Sequence, residues 1–486
     1  MPFLVIVALA LASCGGQAAE PEPGGPREPN IVLVLADDLD WTLLRFMPEA
    51  RRLRRDGMTL ERFYVADSLC CTSRATLLAG RYPHNTGVRT NVSPAGGYGA
   101  WTRHDGPGTT FAVGLSAAGY RTGMFGKYLN GYRADLPPDP GWTRWLAGSD
   151  AYHGFDYDFS DDGTPVHYGS APTDYATDVI ARAGDRFIRD SVAAGKPFMV
   201  QLATFTPHTP TVPAPRHAQR LRRARLPVDG AFGRPIKDPP RWLGARAALS
   251  RRDLEVLRAR FRQRARSVLA IDEMLGRVRA TLAELGVAGR TYVVFTSDNG
   301  YHLGHFRLMQ GKRTAYEPDI RVPVVVAGPG VPAGSSSRVL ASNVDLAPTF
   351  LRWAGIAPRG RDGRSLARVL RGREPRRWRR AVLVEHREEP GEARARLHRG
   401  AAGRDPDAQG RRMGKPGSYD GVRTAEHLYL EHHDGSRELY DLRTDPFELE
   451  NLAASMTRAE RRRWEGMLAR FLRCAAASCR RADRLR

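Results

Sequence analysis

The chain predicts an α/β sandwich built on a buried parallel sheet, followed by a smaller C-terminal α+β unit. Three observations predict it. Four short apolar runs, each closed by a residue that chemistry can use, are spread between residues 31 and 299. Helical stretches separate them. Beyond about residue 370 the alternation gives way to a cluster of strand-like segments.

The elements follow in order. Ile31-Val32-Leu33-Val34-Leu35 ends in Asp37-Asp38, and Arg121-Thr122-Gly123-Met124-Phe125-Gly126 ends in Lys127. Phe198-Met199-Val200-Gln201-Leu202-Ala203 leads to His208, and Tyr292-Val293-Val294-Phe295-Thr296 ends in Asp298-Asn299. Continuous apolar runs bounded by turn residues suit strands buried on both faces. A helix is predicted over roughly 47–56, stopped by Gly57. A long one covers about 250–286, where Leu254, Leu257, Phe261, Val268, Ile271, Leu275, Val278, Leu282 and Leu285 keep the three-and-four spacing of one face. In open α/β sheets ligands bind beyond the carboxyl ends of the strands. All four polar clusters are expected there, and so to converge from distant parts of the chain.

After the basic linker Arg371 to Arg380 the segments 381–385, 421–424, 428–430 and 438–442 read as antiparallel strands. Thr444-Asp445-Pro446 reads as a turn, 387–420 as a polar loop, and 457–473 as a closing helix. With 486 residues the chain is too long for one simple core. We expect a catalytic domain over 29–370 and an α+β subdomain over 371–486.

Hydrophobic content of 42% with 26% charged residues fits a soluble globular protein. Lys and Arg number 75 against 53 acids, a net charge of +22. That charge attracts polyanions such as sulfated glycans. The alternative is a plain bias toward arginine, much of it within 216–266 and 371–380. No nucleic-acid-binding motif accompanies the charge, which argues against nucleic acid as a partner.

Pro2 to Ala12 is an unbroken apolar run, too short to span a bilayer. It ends in Leu11-Ala12-Ser13-Cys14, which looks like a bacterial lipobox. The expectation is a signal peptide over 1–13, a lipid on Cys14, and a flexible Gly/Pro-rich tether over 14–28. The alternative is an ordinary secretory signal. The protein would then act outside the cytoplasm, secreted or held to the cell membrane by lipid alone. Of the other cysteines, Cys474 and Cys479 are candidates for a disulfide, although their spacing within a continuous helix suits a bridge poorly. Cys71 is expected to be packed.

Asp37 and Asp38 are adjacent carboxylates, which repel each other unless a cation lies beside them. Asp298 and Asn299 bring another carboxylate and an amide oxygen. Four hard oxygen donors suit Ca²⁺ or Mg²⁺. Cys70 is placed at the start of a helix with its body at Ala75 to Ala79, where backbone N–H groups favour an anion. Arg74 lies one turn on. Lys127, His208 and Lys312 add positive charge and a proton donor, as hydrolysis of an anionic ester requires.

The segment Ser68-Leu69-Cys70-Cys71-Thr72-Ser73-Arg74 resembles the signature of the type I sulfatases, in which the cysteine matching Cys70 is oxidised to formylglycine. Gly80-Arg81-Tyr82-Pro83-His84-Asn85, Gly126-Lys127-Tyr128-Leu129-Asn130, Ser297-Asp298-Asn299-Gly300-Tyr301-His302-Leu303-Gly304, and Leu439-Tyr440-Asp441-Leu442 with Asp445-Pro446 extend the likeness over roughly 29–486. The pattern is most similar to N-acetylglucosamine-6-sulfatase-like members of this branch of the alkaline-phosphatase superfamily.

The resemblance implies a large mixed, mostly parallel sheet sandwiched by helices. It implies Ca²⁺, with Mg²⁺ as the alternative, held by Asp37, Asp38, Asp298, Asn299 and the modified Cys70. One hydroxyl of the hydrated aldehyde attacks sulfur. His208 or Lys312 protonates the leaving alcohol, and loss of the second hydroxyl proton ejects sulfate. Arg74 and Lys127 position the nucleophile, while Lys127, His208 and Lys312 contact the substrate, a sulfated sugar such as 6-sulfated N-acetylglucosamine. A formylglycine-generating enzyme is implied as maturation partner.

Two positions depart from the family pattern. Thr72 stands where proline or alanine is usual, and Leu129 stands where many arylsulfatases carry histidine. Two rival readings follow. One is a phosphonate monoester or phosphodiester hydrolase on the same scaffold. The other, if Thr72 blocks maturation, is a non-catalytic lipoprotein that binds sulfated glycans. Specificity is expected in the loops 132–170, 209–250 and 387–420.

Overall fold

The computed structural model describes residues 28–244, 246–388 and 415–484. The expected signal peptide over 1–13, Cys14 and most of the loop 387–420 lie outside the described residues.

Five parallel strands form the centre of a ten-stranded sheet, in the order Thr291–Ser297, Asn30–Ala36, Phe198–Ala203, Arg121–Lys127 and Arg144–Gly148. The four apolar runs of the sequence are therefore neighbours. Antiparallel strands Tyr157–Asp161 and Thr164–Tyr168 extend one edge. Val325–Ala327 and Met58–Leu60 extend the other antiparallel, and Ser335–Ser337 closes it parallel. The result is the mixed, mostly parallel sheet of an alkaline-phosphatase-like fold.

Strand alternation assigns the two faces. Ile31, Leu33 and Leu35 join a core with the helices Cys70–Ala79, Phe111–Ala117 and Leu346–Trp353. Val32, Val34 and Ala36 join a second core with Pro48–Asp56, Ala176–Ala193 and Arg251–Glu284. Sandwiching leaves the central strands with no solvated face, which is why their sequences do not alternate.

The C-terminal segment forms a separate four-stranded antiparallel sheet, Ala381–His386, Tyr419–Thr424, His427–His432 and Arg437–Asp441. Leu383, Val422, Tyr429 and Leu439 pack against Trp464, Met467, Leu468 and Phe471 of the helix Arg458–Leu472. That helix does not close the chain, since a short helix Ala477–Ala482 follows. The break explains the disulfide between Cys474 and Cys479. The two cysteines do not share a continuous helix, and Ala476 between them has φ +48° while its N–H donates to Asp362 Oδ1.

Two glycines are needed for the site. Gly80, at φ +62°, ends the Cys70 helix in a left-handed cap. At Gly126, φ +101°, a Cβ would lie 2.0 Å from the Ala203 carbonyl oxygen, so only glycine lets the Lys127 strand approach its neighbour.

Candidate active site

The strand ends bring together Asp37, Asp38, Lys127, His208, Asp298 and Asn299, and the helix Cys70–Ala79 presents Cys70 to them. All are buried, as are Arg74 and Lys312. Cys70 Sγ lies 3.4 Å from Asp37 Oδ1 and also contacts Lys312 Nζ. Lys127 Nζ bonds Asp37 Oδ2 at 2.5 Å, and Lys312 Nζ bonds Asp38 Oδ1 at 2.6 Å. Each aspartate of the pair thus has its own lysine.

Arg74 does not reach into open space. Its Nε donates to Asp298 Oδ2 at 2.7 Å and its Nη1 to the Lys127 carbonyl at 2.8 Å. It therefore ties the helix of Cys70 to two strand ends. His208 Nδ1 is 2.6 Å from the Thr209 carbonyl, which fixes a proton on Nδ1, while Nε2 faces Asp38 Oδ2 at 3.7 Å.

Electrostatics follow from this packing. Burial alone would raise the pKa of Asp37, but Lys127, His208 and Arg74 outweigh it and hold the carboxyl below its usual range. Asp298 goes the other way, raised by burial and by Asp37. Burial works against the charge of Lys127, yet Asp37 lifts its pKa well above the ordinary lysine value. Burial, then the Asp37 charge, pushes the Cys70 thiol up.

The donor set fits a hard divalent cation. One ligand atom each from Asp37, Asp38, Cys70 and His208 lies within 4.8 Å of the others. Asp38 Oδ2 and Asn299 Oδ1 are buried and accept no hydrogen bond among the described residues. Asn299 Nδ2 donates to Asp38 Oδ1 at 2.6 Å and to the Gly300 carbonyl at 2.8 Å, so its oxygen is the free end. Buried oxygens without donors are costly, and oxygen-rich sites of this kind suit Ca²⁺ or Mg²⁺.

Two neighbours of the site were not singled out from the sequence. Arg264 donates to the Asp38 carbonyl at 2.6 Å and to Asp40 Oδ2 at 2.8 Å. Among the arginines between Phe261 and Val268 it is the one whose spacing, three after Phe261 and four before Val268, puts it on the apolar stripe of its helix. Tyr152, 4.9 Å beneath Lys127 Nζ and 4.6 Å from the His208 ring, comes from a loop without a readable pattern. His84 and Asn85 are not in the site. They bond Glu385, Asp362 and the Cys474 carbonyl, joining the catalytic helix region to the C-terminal segment.

Paired aspartates, two buried lysines and a helix-borne cysteine at the ends of a parallel sheet make a pocket suited to an anionic ligand. The sulfatase family model matches residues 29–356. The chain is 33% identical to an N-acetylglucosamine-6-sulfatase of Capra hircus, over 94% of this chain and 85% of that protein. It is 27% identical to an N-acetylglucosamine-6-O-sulfatase of Bacteroides thetaiotaomicron, over 93% of this chain and 86% of that one. Among solved structures, a protein in complex with its substrate D-glucosamine-2-N,6-O-disulfate superposes with a TM-score of 0.75 at 22% identity, covering 94% of this chain and 99% of that chain. A phosphonate monoester hydrolase from Silicibacter pomeroyi superposes at 0.69 with 24% identity, covering 92% and 95%. The chain belongs to the sulfatase family, and its activity is that of a sulfuric ester hydrolase.

Proposed function

We propose that the protein removes sulfate from a 6-sulfated N-acetylglucosamine-type sugar, with Cys70 converted to formylglycine. Asp37, Asp38, Asp298, Asn299 and the modified residue 70 would hold Ca²⁺, or Mg²⁺ in its place. The observation that carries this reading is the orphaned pair Asp38 Oδ2 and Asn299 Oδ1 in the cluster that Cys70 Sγ joins through Asp37. The names of the N-acetylglucosamine-6-sulfatase relatives support the substrate class.

Together the hydrated aldehyde and the cation would supply an oxygen nucleophile of lowered pKa and Lewis-acid polarisation of the sulfate. The chain's own residues do the rest. Arg74 braces Asp298 and the Lys127 backbone, so residue 70 and the strand ends keep one geometry. Lys127 and Lys312 set positive charge against the sulfate oxygens. His208, locked through Nδ1, can hold a proton on Nε2 for the leaving alcohol; Lys312 is the other donor within reach of residue 70.

We place this activity outside the cytoplasm, with Cys14 lipidated. Relatives described as extracellular sulfatases support the compartment. Among the described residues no helix is long and apolar enough to cross a membrane. The test is the mass of the tryptic peptide containing Cys70, from protein made in its native host, alongside release of sulfate from N-acetylglucosamine-6-sulfate. An aldehyde and released sulfate are expected. An unmodified thiol would remove the catalytic reading and leave a binder of sulfated glycans.

A further inference from the structure

Asp38 has a left-handed backbone, at φ +65°. In an extended chain successive side chains point to opposite faces, so Asp37 and Asp38 would diverge. The turn at Asp38 instead lets both carboxylates join one cluster, with ligand atoms of Asp37, Asp38 and Cys70 within 4.8 Å of one another. That conformation is disfavoured for a residue with a Cβ, so something must hold it.

The backbone bonds show what does. The Asp38 N–H donates to Asp298 Oδ1 at 3.2 Å, the Asp38 carbonyl accepts from Arg264 Nη2 at 2.6 Å, and the Leu39 N–H donates to Ser297 Oγ at 2.8 Å. Arg264 and Ser297 thus grip opposite ends of the one peptide unit that follows Asp38, which fixes its orientation. The Ser297 hydroxyl donates in turn to the Asn299 carbonyl at 2.8 Å, so the same clamp reaches the residue whose amide oxygen lies open beside Asp38.

Arg264 is fully buried and comes from the helix Arg251–Glu284, on the sheet face opposite the Cys70 helix. A guanidinium in an apolar layer is costly unless its donors are used. Its fork spans the Asp38 carbonyl, Asp40 Oδ2 at 2.8 Å and the Pro207 carbonyl at 3.3 Å, with the Tyr301 ring at 4.1 Å. Neutralising Asp40 needs only a charge. Reaching the Asp38 carbonyl as well needs a planar fork, which lysine lacks.

We propose that Arg264 and Ser297 are positioning residues: by clamping the Asp38–Leu39 peptide they hold Asp38 in its left-handed conformation, and so set the affinity of the paired aspartates for a divalent cation. That the cluster takes a cation rests on the function proposed above; the left-handed residue and its clamp do not.

The test is Ca²⁺ affinity, by isothermal titration calorimetry on the full chain from its native host after removal of metal. Wild type, Arg264→Lys and Ser297→Ala are compared, and the melting temperature of each metal-free protein is read alongside. Arg264→Lys keeps a cation for Asp40, and Ser297→Ala does not touch Asp40. Both variants are expected to bind Ca²⁺ at least about tenfold more weakly, the loss usual when a group supporting a metal ligand is removed. A purely structural role would lower the metal-free melting temperature and leave the affinity alone, and that result would overturn the proposal. Weakening in Arg264→Lys only would overturn it too, because the Asp40 or Pro207 contact would then account for the loss. Should Arg264→Lys not fold, Ser297→Ala decides alone. If wild type itself binds neither Ca²⁺ nor Mg²⁺, the cation reading falls and takes the clamp with it. Wild-type binding with unaltered variants removes the clamp only.

Discussion

Two buried acidic clusters face different fates in this molecule. One is Asp37, Asp38 and Asp298 at the strand ends. The other is Glu317, Glu438 and Glu448, where the C-terminal sheet meets the main body. In the second, Arg423 and Arg321 grip Glu317, while Tyr316 at 2.7 Å, Tyr440, and His432 at 2.6 Å saturate Glu438. Planar guanidiniums and phenols hold such carboxylates in one geometry. In the first, the short contacts of the Asp37–Asp38 pair come from lysines, compact point charges on flexible stems that can change partner, with Arg74 and His208 farther off at 3.9 and 3.7 Å. The difference teaches what burial of charge is for. The junction cluster spends its cations on fixing two sheets together, whereas the strand-end cluster, on the proposed function, keeps cations that a sulfate and a metal ion would redistribute.

The hardest way to break the comparison is to remove residue 70. Cys70→Ala is expected to lower sulfate release by about 10³-fold or more while leaving the melting temperature nearly unchanged. A comparable loss of stability would mean that the strand-end cluster is structural after all. Chelation comes next. EGTA should abolish turnover and lower the melting temperature, and Ca²⁺ should restore both better than Mg²⁺. For a cation at 100 times its Kd the lost stabilisation is about 2.7 kcal/mol. Unaltered activity after exhaustive chelation would sink the metal assignment.

At the junction, burial and then Glu317 raise the pKa of Glu448 well above its ordinary 4.5. For a carboxyl raised on folding, the stability contribution is whole below pH 4.5 and is lost as pH rises through the folded value. Glu448→Gln should therefore melt higher than wild type at pH 8 and nearly level with it at pH 4. A difference independent of pH would show that Glu448 is not held protonated. The smallest effect is expected from Cys474→Ser with Cys479→Ser. The bridge closes a loop with a sequence separation of only 5, so its loss costs about 2 kcal/mol and leaves kcat untouched.

The strand-end cluster was legible in the sequence because each donor follows a continuous apolar run, and parallel strands deliver their carboxyl ends to one place. The same logic placed Cys70 at a helix start. Arg264 was readable in principle, since a cation on an apolar stripe needs a buried partner. Tyr152 was not, because it reaches Lys127 from an irregular loop. Cys474 and Cys479, candidates for a bridge in the sequence, are bridged, and the reservation drawn from one continuous helix fails because the chain breaks at Ala476.

The long helix Arg251–Glu284 has a mechanical side. Its 34 residues make a rod of about 50 Å. From its first half, Arg260 reaches the Pro210 carbonyl at 3.1 Å, and Arg264 reaches the carbonyls of Pro207 at 3.3 Å and Asp38 at 2.6 Å. The loop that carries His208 is thus strapped to a rigid beam rather than hung from a flexible hinge. Its amides should exchange with deuterium only in the same cooperative opening that frees the central strands. A loop that behaves as part of the core keeps the His208 ring aligned for as long as the protein stays folded.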